Sequence, residues 1–329
     1  MRFGVDCSLV ISFTCNICGA RNTVEKIEWE TPSCPGCGSN VRKRAIIYLL
    51  AMELFGEGLA LPHFPSVRAI KGIGLSDDLG YAVPLAGKFD YTNTYYDREP
   101  YLDITTPDPK LQGTYDFILS SDVFEHVPPA AERAFVESYK LLKPNGFLCI
   151  TVPSTLDAKT AEHYPDLHDY AIVNLRDQPV LINRKRDGTL EIHDKLRFHG
   201  GHGATLEMRV FSQKDLAERL RSAGFSEVAF QAKSVEEFGI ILDGIFSRPL
   251  VARKEAFVPG PEVFSQLLHQ YRSQAEELSK LRTEAAEMSA KNLQLQREKD
   301  VLEIKVRAAA QSKWVRLGNR LGRGPRLDD

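Results

Sequence analysis

Residues 115–127, which read YDFILSSDVFEHV, constrain the fold of this chain more than any other stretch. The apolar run 117–119 is too short for a buried helix, and it stands between Gly113 and Pro128. Such a run is typical of a strand that is buried on both faces of a parallel sheet. Small and acidic residues follow directly at 120–122. Because open α/β sheets bind ligands where their parallel strands end, this stretch predicts one wall of a ligand cleft.

The segments around this strand alternate between strand and helix patterns. Their order predicts a parallel sheet with right-handed crossovers. Residues 143–146 (Lys-Pro-Asn-Gly) predict a turn before a fully buried strand. The predicted elements are a strand with a glycine turn at 67–77, a short helix to 85, strands at 89–95 and 101–104, a helix at 129–142, a strand at 147–152, a helix that begins at Ser212, and strands at 227–231 and 239–247.

Four of the six cysteines form two Cys-x-x-Cys pairs, at 15–18 and 34–37, with fifteen residues between them. Two thiolates three positions apart can reach one ion, and the glycine after each pair lets backbone amides turn toward the sulfurs. Four thiolates complete a tetrahedral Zn²⁺ shell, so the pattern predicts a structural zinc ribbon, with a redox pair as the alternative. Residues 22–30 predict its short strand. The predicted zinc ligands are Cys15, Cys18, Cys34 and Cys37.

The segment 41–55 carries apolar residues at helical spacing, and Gly56 follows it as a stop signal. We expect this helix to join the ribbon to the main domain. Its basic start at 42–44 is expected to be solvated at a domain junction. Contact with a phosphate-bearing ligand is the alternative.

The overall composition indicates a globular chain. Its 329 residues, 43% of them hydrophobic, allow one α/β domain with smaller modules. The formal net charge of −2 gives no general attraction for nucleic acid, and no apolar run approaches the roughly 18 residues of a membrane span. The first twenty residues lack the apolar core of a secretory signal, so we expect a cytoplasmic protein.

Two motifs resemble the late motifs of class I S-adenosylmethionine-dependent methyltransferases of the type 11-like group. They are the stretch at 115–127 and LLKPNGFLCITVP at 141–153, in the order that the family has. Asn145 replaces the first glycine of the usual Leu-Lys-Pro-Gly-Gly motif, at a turn that tolerates positive φ. The resemblance covers residues 66–155, and more loosely 205–255. It implies a Rossmann-like sheet and an S-adenosylmethionine cofactor.

The resemblance also implies cofactor-binding roles. Gly72 and Gly74 match the glycine loop beside the methionine moiety, and Asp103 with Ile104 matches the third-strand end that hydrogen-bonds the adenine amino group. The chain departs from the family in two respects: the GIGLSD motif at 72–77 lacks the full glycine pattern, and no acid stands clearly at the end of the second strand to hold the ribose hydroxyls. The residues that match the lining of the cofactor after the fourth strand are Ser121, Asp122 and Val123.

Residues 154–210 form an insertion, which the resemblance places over the acceptor as a lid. A hairpin is predicted at 183–191 on an Asp-Gly turn. His199 and His202 lie among glycines. Because an imidazole side chain in general can exchange a proton near neutral pH, either could deprotonate an acceptor; a second metal site and a purely conformational loop are the alternatives. His126 could also face the pocket, with a capping or core role as its alternative. The candidate catalytic residues are therefore His126, His199 and His202.

The composition changes after residues 259–261. Apolar residues at 264–306 step by four and three with one three-residue shift, and no glycine or proline interrupts them. This pattern predicts a coiled coil that forms a homo-oligomer, with register limited by Asn292 and Lys299; a single solvated helix is the alternative. The basic end at 312–323 is suited to weak contact with an anionic membrane surface, or is a disordered tail.

Together these patterns predict an α/β fold. Its core is a Rossmann-like, doubly wound, mostly parallel seven-stranded sheet, preceded by a small zinc ribbon and followed by a long coiled-coil helix. The predicted boundaries are a zinc ribbon at 1–45, a linking helix at 46–64, a methyltransferase domain at 65–255 with its lid at 154–210, a coiled coil at 262–310 and a basic tail at 311–329.

The predicted function is S-adenosylmethionine-dependent methylation of an oxygen or nitrogen on a small molecule or glycan. The tail resembles those of bacterial surface-polysaccharide enzymes, which is the only indication of a pathway. Its basic, amphipathic pattern is the reason to expect contact with the inner membrane face. The expected cofactors are S-adenosylmethionine and structural Zn²⁺; the expected partners are the acceptor and further copies of the chain, and no nucleic acid. The alternatives are an inactive methyltransferase fold that serves as a scaffold, an NAD-dependent enzyme, and a nucleic-acid modifier.

Overall fold

The computed structural model describes residues 10–199, 205–244, 247–311 and 313–322. The chain divides into two compact units, residues 1–267 and 268–329. The helices are α1 (Val41–Phe55), α2 (Leu79–Lys88), α3 (Glu132–Leu141), α4 (Gln213–Ser222), α5 (Pro261–Gln311) and α6 (Lys313–Arg320). The strands are β1 (Ile11–Thr14), β2 (Arg21–Val24), β3 (Lys71–Leu75), β4 (Asp90–Thr94), β5 (Tyr115–Ser121), β6 (Leu142–Thr151), β7 (Ser154–Thr155), β8 (Ala161–Glu162), β9 (Asp169–Leu175), β10 (Gln178–Arg184), β11 (Leu190–His193), β12 (Phe198–His199), β13 (Thr205–Leu206), β14 (Arg209–Ser212), β15 (Glu227–Phe230) and β16 (Leu250–Arg253).

A six-stranded sheet forms the centre of the first unit, in the order β15-β16-β6-β5-β3-β4. The strands β4, β3, β5 and β6 are parallel to one another, and β16 is antiparallel to both of its neighbours. The mostly parallel plan is therefore confirmed. Within the described residues the sheet has one strand fewer than predicted, because 101–104 makes only a bridge from Tyr101 to Tyr95. Asp103 accepts hydrogen bonds from the N–H and the hydroxyl of Thr105, which turns the chain out of an extended path.

The sheet is buried on both faces, as the apolar runs of its strands require. On one face Phe117 packs in a core that includes residues of α1 and α2. On the other face its neighbour Ile118 packs in a core that includes residues of α3 and α4. Helices on both faces of a mostly parallel sheet form the expected doubly wound arrangement.

The strand β6 begins earlier than predicted. Residues 143–146, predicted as a turn, lie inside β6, where they bulge out between the pairs Tyr115–Leu142 and Phe117–Phe147. Extra residues on one strand of a pair interrupt the ladder and bend the strand, so the turn chemistry of this segment is used in a bulge. The fully buried part of the predicted strand is confirmed.

The last predicted strand is displaced along the chain. The sequence predicts a strand at 239–247, whereas the structure has β16 after this segment. Gly239 and Gly244 adopt φ values of 63° and 70°, which extended backbone does not have. In the described part of the segment, Ile240 makes one bridge to Val235.

The N-terminal segment packs directly on the sheet. The strands β1 and β2 form an antiparallel hairpin that pairs Ile11 with Val24, so the predicted short strand is confirmed over part of its length. Helix α1 has Asn40 as its N-cap and Gly56, with φ 74°, as its C-cap. One continuous core contains residues of this hairpin, α1 and the sheet, so these elements bury one another.

The insertion at 154–210 folds largely into short antiparallel sheets. One sheet has the order β11-β10-β9, and the predicted hairpin is confirmed by the pairing of Asn183 with Glu191. In another sheet, β14 pairs with β7 and β8. A small separate core, which includes Tyr164 and Leu181, lies within the insertion.

Helix α5 is continuous from Pro261 to Gln311, as the uninterrupted pattern predicts. In the first unit its start packs on the core through Val263, and Gln266 accepts a hydrogen bond from the N–H of Ala69 at 3.2 Å. In the second unit the helix exposes large apolar side chains such as Leu295 and Leu302. None of the helices in the described part of the chain has both the length and the apolar character that crossing a membrane requires.

Candidate functional site

The four predicted metal ligands come together in the N-terminal segment. The Sγ–Sγ distance is 3.6 Å in each of the pairs Cys15–Cys37 and Cys18–Cys34, and all four sulfurs lie within 4.8 Å of one another. The glycines directly after the two Cys-x-x-Cys pairs have φ values of 79° and 67°, as the tight turns predict. A tetrahedral ion with metal–sulfur bonds of about 2.3 Å separates its sulfurs by about 3.8 Å, so the thiols fit a Zn²⁺ shell.

A buried arginine lies beside these thiols. Arg44 is fully buried, and its guanidinium donates to the carbonyl of Gly239 and to the hydroxyl of Ser33 at 2.9 Å each. It also donates to the hydroxyl of Ser39, which lies 3.3 Å from Sγ of Cys15. Burial lowers the pKa of Arg44, and the neighbouring cysteines oppose that effect. The expectation that this residue is solvated is wrong, because its guanidinium is held by buried backbone and side-chain acceptors.

At the carboxyl end of β5, Arg42 contacts two residues that are predicted to line the cofactor. Its Nε lies 3.1 Å from Oδ2 of Asp122, and its Nη1 donates to Oγ of Ser121 at 2.5 Å. Glu30 accepts from the same Nε at 2.9 Å. Burial raises the pKa of Asp122, and Arg42 opposes that rise. The prediction of a solvated Arg42 is therefore wrong as well.

Three residues meet beside Asp122. Glu125 is fully buried, and neither of its carboxylate oxygens has a hydrogen-bond partner among the described residues. His199 places Nδ1 3.4 Å from Oε1 of Glu125 and Nε2 3.4 Å from Oδ2 of Asp122. His126 places Nε2 3.7 Å from the same Glu125 oxygen and Nδ1 2.9 Å from the carbonyl of Leu206. Burial, and then the charge of Asp122, raises the pKa of Glu125 well above its ordinary value.

The predicted glycine loop is wrong in its position. Gly72 and Gly74 lie inside β3, not in a loop after it. A Cβ atom at Gly72 would lie 2.1 Å from the ring of Phe117, and one at Gly74 would lie 2.0 Å from the hydroxyl of Tyr91 and 2.4 Å from Oδ2 of Asp77. These glycines therefore make room for aromatic rings and a buried carboxyl group.

That carboxyl group belongs to Asp77, just beyond the end of β3. It accepts hydrogen bonds from the hydroxyls of Tyr81 at 2.8 Å and Tyr91 at 2.5 Å. Burial raises the pKa of Asp77 to about 7, although both tyrosine hydroxyls act to lower it. The neighbouring Ser76 adopts a φ of 55°, an uncommon value for a residue with a side chain.

The other predicted site residues are distributed between surface and core. The carboxylate of Asp103 is partly exposed and bonded within its own turn. Ile104 is buried among residues of the core that includes α3, and Val123 packs against the same core. His202 lies outside the described residues. The structure thus brings together Ser121, Asp122, His126 and His199.

Sequence reasoning missed three residues that hold this site together. Arg42 was visible as part of a basic helix start, and Glu125 stood inside the Glu-His motif, but no pattern marked their burial. Arg209 had no signal at all. It is 1% exposed, and it donates to the carbonyls of Phe124 at 3.1 Å and Val127 at 2.6 Å, which joins the insertion to the segment after β5.

Several solved structures of methyltransferases are similar to this chain at low identity. The 1,6-didemethyltoxoflavin-N1-methyltransferase of Burkholderia thailandensis is 16% identical over 65% of this chain and 78% of its own, with a TM-score of 0.39. An amino pentose methyltransferase of Micromonospora echinaspora is 12% identical over 56% of this chain and 83% of its own, with a TM-score of 0.33. A methyltransferase of Thermotoga maritima is 18% identical over 65% of this chain and 92% of its own, with a TM-score of 0.35.

A search of curated proteins finds no match to this chain. A family model described as a methyltransferase domain matches residues 56–229. This range contains the parallel strands of the sheet and the cluster of Glu125, His126 and His199. Because the match spans more than half of the 329 residues, the chain belongs to this family of methyltransferase domains.

Proposed function

We propose that this protein transfers a methyl group from S-adenosylmethionine to an oxygen or nitrogen of a small molecule or glycan. The observation that carries the proposal is the family match at 56–229, together with the polar residues that follow β5 inside it. When bound, S-adenosylmethionine supplies a methyl group on a positively charged sulfonium. The acid-rich end of β5 is chemically suited to a cationic ligand.

Four side chains are proposed to hold the cofactor. Asp103 has a partly exposed carboxylate, the group type that accepts from an adenine amino group. Ser121 and Asp122 lie at the end of β5, and Val123 adds an apolar contact. Gly72 and Gly74, which the resemblance places beside the methionine moiety, are proposed to contact the cofactor through their backbone only, because the Cβ direction of each glycine is filled by Phe117 or Tyr91.

His199 is the proposed base among the described residues. Methylation of a hydroxyl or amine requires the acceptor to lose a proton as it gains the methyl group. Nε2 of His199 faces the carboxylate of Asp122, which leaves Nδ1 to take that proton. The side chain is 26% exposed, so an acceptor under the insertion could approach it. His126 is less suited to this role, because burial lowers its pKa.

Calorimetric titration with S-adenosylmethionine and S-adenosylhomocysteine tests the proposal. We expect saturable binding of both and at least a tenfold loss of affinity in Asp103→Asn. Asp108→Asn is a matched control, because both aspartates accept a hydrogen bond from the N–H two residues ahead. Absence of binding at millimolar cofactor would overturn the enzymatic proposal.

A second candidate function is a scaffold that does not transfer methyl groups. It is favoured by one observation: Arg42 lies against Ser121 and Asp122, two residues that are expected to face the cofactor. If the protein is only a scaffold, with the guanidinium closing this edge of the sheet, neither the native chain nor Arg42→Ala should bind the cofactor. An enzyme requires binding by the unmodified chain, so the same titration separates the two functions.

We further propose a structural Zn²⁺ in the cysteine cluster and self-association through α5. The spacing of the sulfurs supports the first, and the exposed apolar residues of α5 support the second. Work at the cytoplasmic face of the inner membrane, on an intermediate of a bacterial surface polysaccharide, remains a proposal from resemblance. Flotation with anionic vesicles tests the membrane part, with loss of flotation expected when residues 312–329 are deleted.

A further inference from the structure

We infer that Glu125, His126 and His199 form a binding site for a divalent transition-metal ion, separate from the cysteine cluster. One oxygen or nitrogen from each of these residues lies within 4.8 Å of the other two. The site lies in the segment directly after β5 and is completed by β12 of the insertion.

The distances fit ligands around an ion better than direct hydrogen bonds. Oε1 of Glu125 is 3.4 Å from Nδ1 of His199 and 3.7 Å from Nε2 of His126. Hydrogen bonds between such atoms measure about 2.7–3.2 Å. Tetrahedral ligands with metal bonds of about 2.1 Å lie about 3.4 Å apart, so the two distances from Glu125 are close to those between ligands of one ion.

Each histidine has its second ring nitrogen opposite an acceptor. Nδ1 of His126 is 2.9 Å from the carbonyl of Leu206, so it carries the proton and leaves Nε2 with a free lone pair. In His199, Nδ1 is the ligand atom because it is the nitrogen that lies beside Glu125. Nε2, on the other side of the ring, lies 3.4 Å from Oδ2 of Asp122. Metal-binding histidines are oriented in this way by a carbonyl or carboxylate behind them.

Glu125 supplies the independent observation. It is fully buried, and both of its oxygens lack a hydrogen-bond partner among the described residues. A buried carboxylate without a partner is strongly unfavourable, and coordination of a cation removes that cost. Glu207, whose Oε2 lies 3.8 Å from Nδ1 of His199, is placed to support the same ion.

The chemistry of the donors narrows the choice of metal. Two imidazoles and a carboxylate suit Mn²⁺, Fe²⁺, Co²⁺, Ni²⁺ or Zn²⁺, whereas Ca²⁺ and Mg²⁺ prefer oxygen alone. If the proposed methyl transfer is correct, an ion here would occupy Nδ1 of His199 and so replace this histidine as the activator of the acceptor, because the ion would lower the pKa of an acceptor hydroxyl beside it. This last consequence rests on the proposed function, but metal binding itself does not.

Titration with Mn²⁺ tests the site in the full chain after mild chelation. Thiolates bind Mn²⁺ poorly, so the cysteine cluster should not contribute. Free Mn²⁺, measured by electron paramagnetic resonance, should fall by one equivalent per chain. Glu125→Gln and His199→Gln should each weaken binding at least tenfold. His193→Gln is the control, since His193 lies in the same insertion and beside a glutamate, with Nε2 3.2 Å from Oε2 of Glu191, but does not belong to the three-residue cluster.

The inference would be overturned if the native chain bound neither Mn²⁺ nor Co²⁺ at this site. For Co²⁺, the binding that counts is binding through nitrogen and oxygen ligands. Mn²⁺ affinity in the Glu125→Gln and His199→Gln variants equal to that of the native chain would also overturn it. If circular dichroism shows that Glu125→Gln does not fold, the result is taken from His199→Gln, because the side chain of His199 is partly exposed. Titration of the same samples with S-adenosylmethionine separates the two proposals, because metal binding without cofactor binding would overturn only the methyltransferase function.

Discussion

Nε of Arg42 lies 3.1 Å from Oδ2 of Asp122, and this ion pair joins the first helix to the carboxyl end of the central sheet. The two side chains are 16% and 10% exposed. Helix α1 precedes the range that the family model matches, whereas Asp122 lies inside it. The N-terminal segment therefore contributes a side chain directly to the candidate site.

Replacing Arg42 tests how much this ion pair contributes to the free energy of unfolding. Arg42→Met should lower the free energy of unfolding by about 3 kcal/mol, because it leaves the buried Asp122 without its cation. Urea unfolding at pH 7 measures the change. Lys26→Met is the control, since the pair of Lys26 with Glu28 is exposed and should change stability by less than about 0.5 kcal/mol. Equal effects of the two substitutions would contradict the prediction.

Asp77 should make stability depend on pH. Its pKa is raised from 3.8 to about 7, so between these values the folded state binds the proton that the unfolded state has released. The contribution is fully present below pH 4 and is lost as the pH rises through 7. The stability of the native chain relative to Asp77→Asn should therefore fall by about 1.4 kcal/mol per pH unit across this window.

Unfolding in urea at several pH values checks this slope. Asp108→Asn is the control, because Asp108 is exposed and accepts a hydrogen bond from the N–H of Lys110, which asparagine can also accept. The prediction fails if Asp77→Asn and the native chain show parallel pH profiles.

Gly74 should not tolerate a side chain. A methyl group there would lie 2.0 Å from the hydroxyl of Tyr91, so Gly74→Ala should destabilise the fold by about 2 kcal/mol. Removing the hydroxyl with Tyr91→Phe in the same chain should restore part of the loss. Gly87→Ala is the control, since Gly87 lies in α2 with open space around it, and it should raise the melting temperature slightly. Similar melting curves for the two alanine variants would be inconsistent with this packing.

Loss of a cysteine should release the proposed zinc and destabilise more than the N-terminal hairpin. Cys34→Ser should reduce the zinc content from about one to none per chain, measured by mass spectrometry of the metal. Because Cys34 belongs to the core that also contains Phe117, the melting temperature of the sheet should fall as well. Cys7→Ser, outside both Cys-x-x-Cys pairs, should leave the zinc content unchanged. Full zinc content in Cys34→Ser would refute the four-thiolate site.

The apolar stripe of α5 should determine the oligomeric state. Leu295 and Leu302 are 53% and 60% exposed in the single chain, so each should be covered when copies associate. Leu302→Glu should convert the assembly to monomers in sedimentation experiments. Gln296→Glu, outside the predicted seam, should not. A monomeric native chain would exclude the coiled coil.

Short-range patterns in the sequence predicted much of the fold. The apolar run at 117–119 is a buried strand, the paired cysteines meet, and Ser212 caps α4 by accepting from the N–H of Asp215. Each of these depends on residues close together in the chain. The strand predicted at 101–104 failed because a local turn at Asp103 competes with extended structure.

Periodicity, spacing and motifs in the amino-acid sequence were enough to predict the parallel sheet, the clustering of the cysteines, the uninterrupted helix α5 and membership of the family. Three contacts could be seen only in the folded chain: Arg42 pairs with Asp122, Gly74 makes room for Tyr91 and Asp77, and the buried Glu125 lies beside two histidines. Side chains distant in the chain become neighbours only when the sheet forms, and burial then sets their charge and their partners.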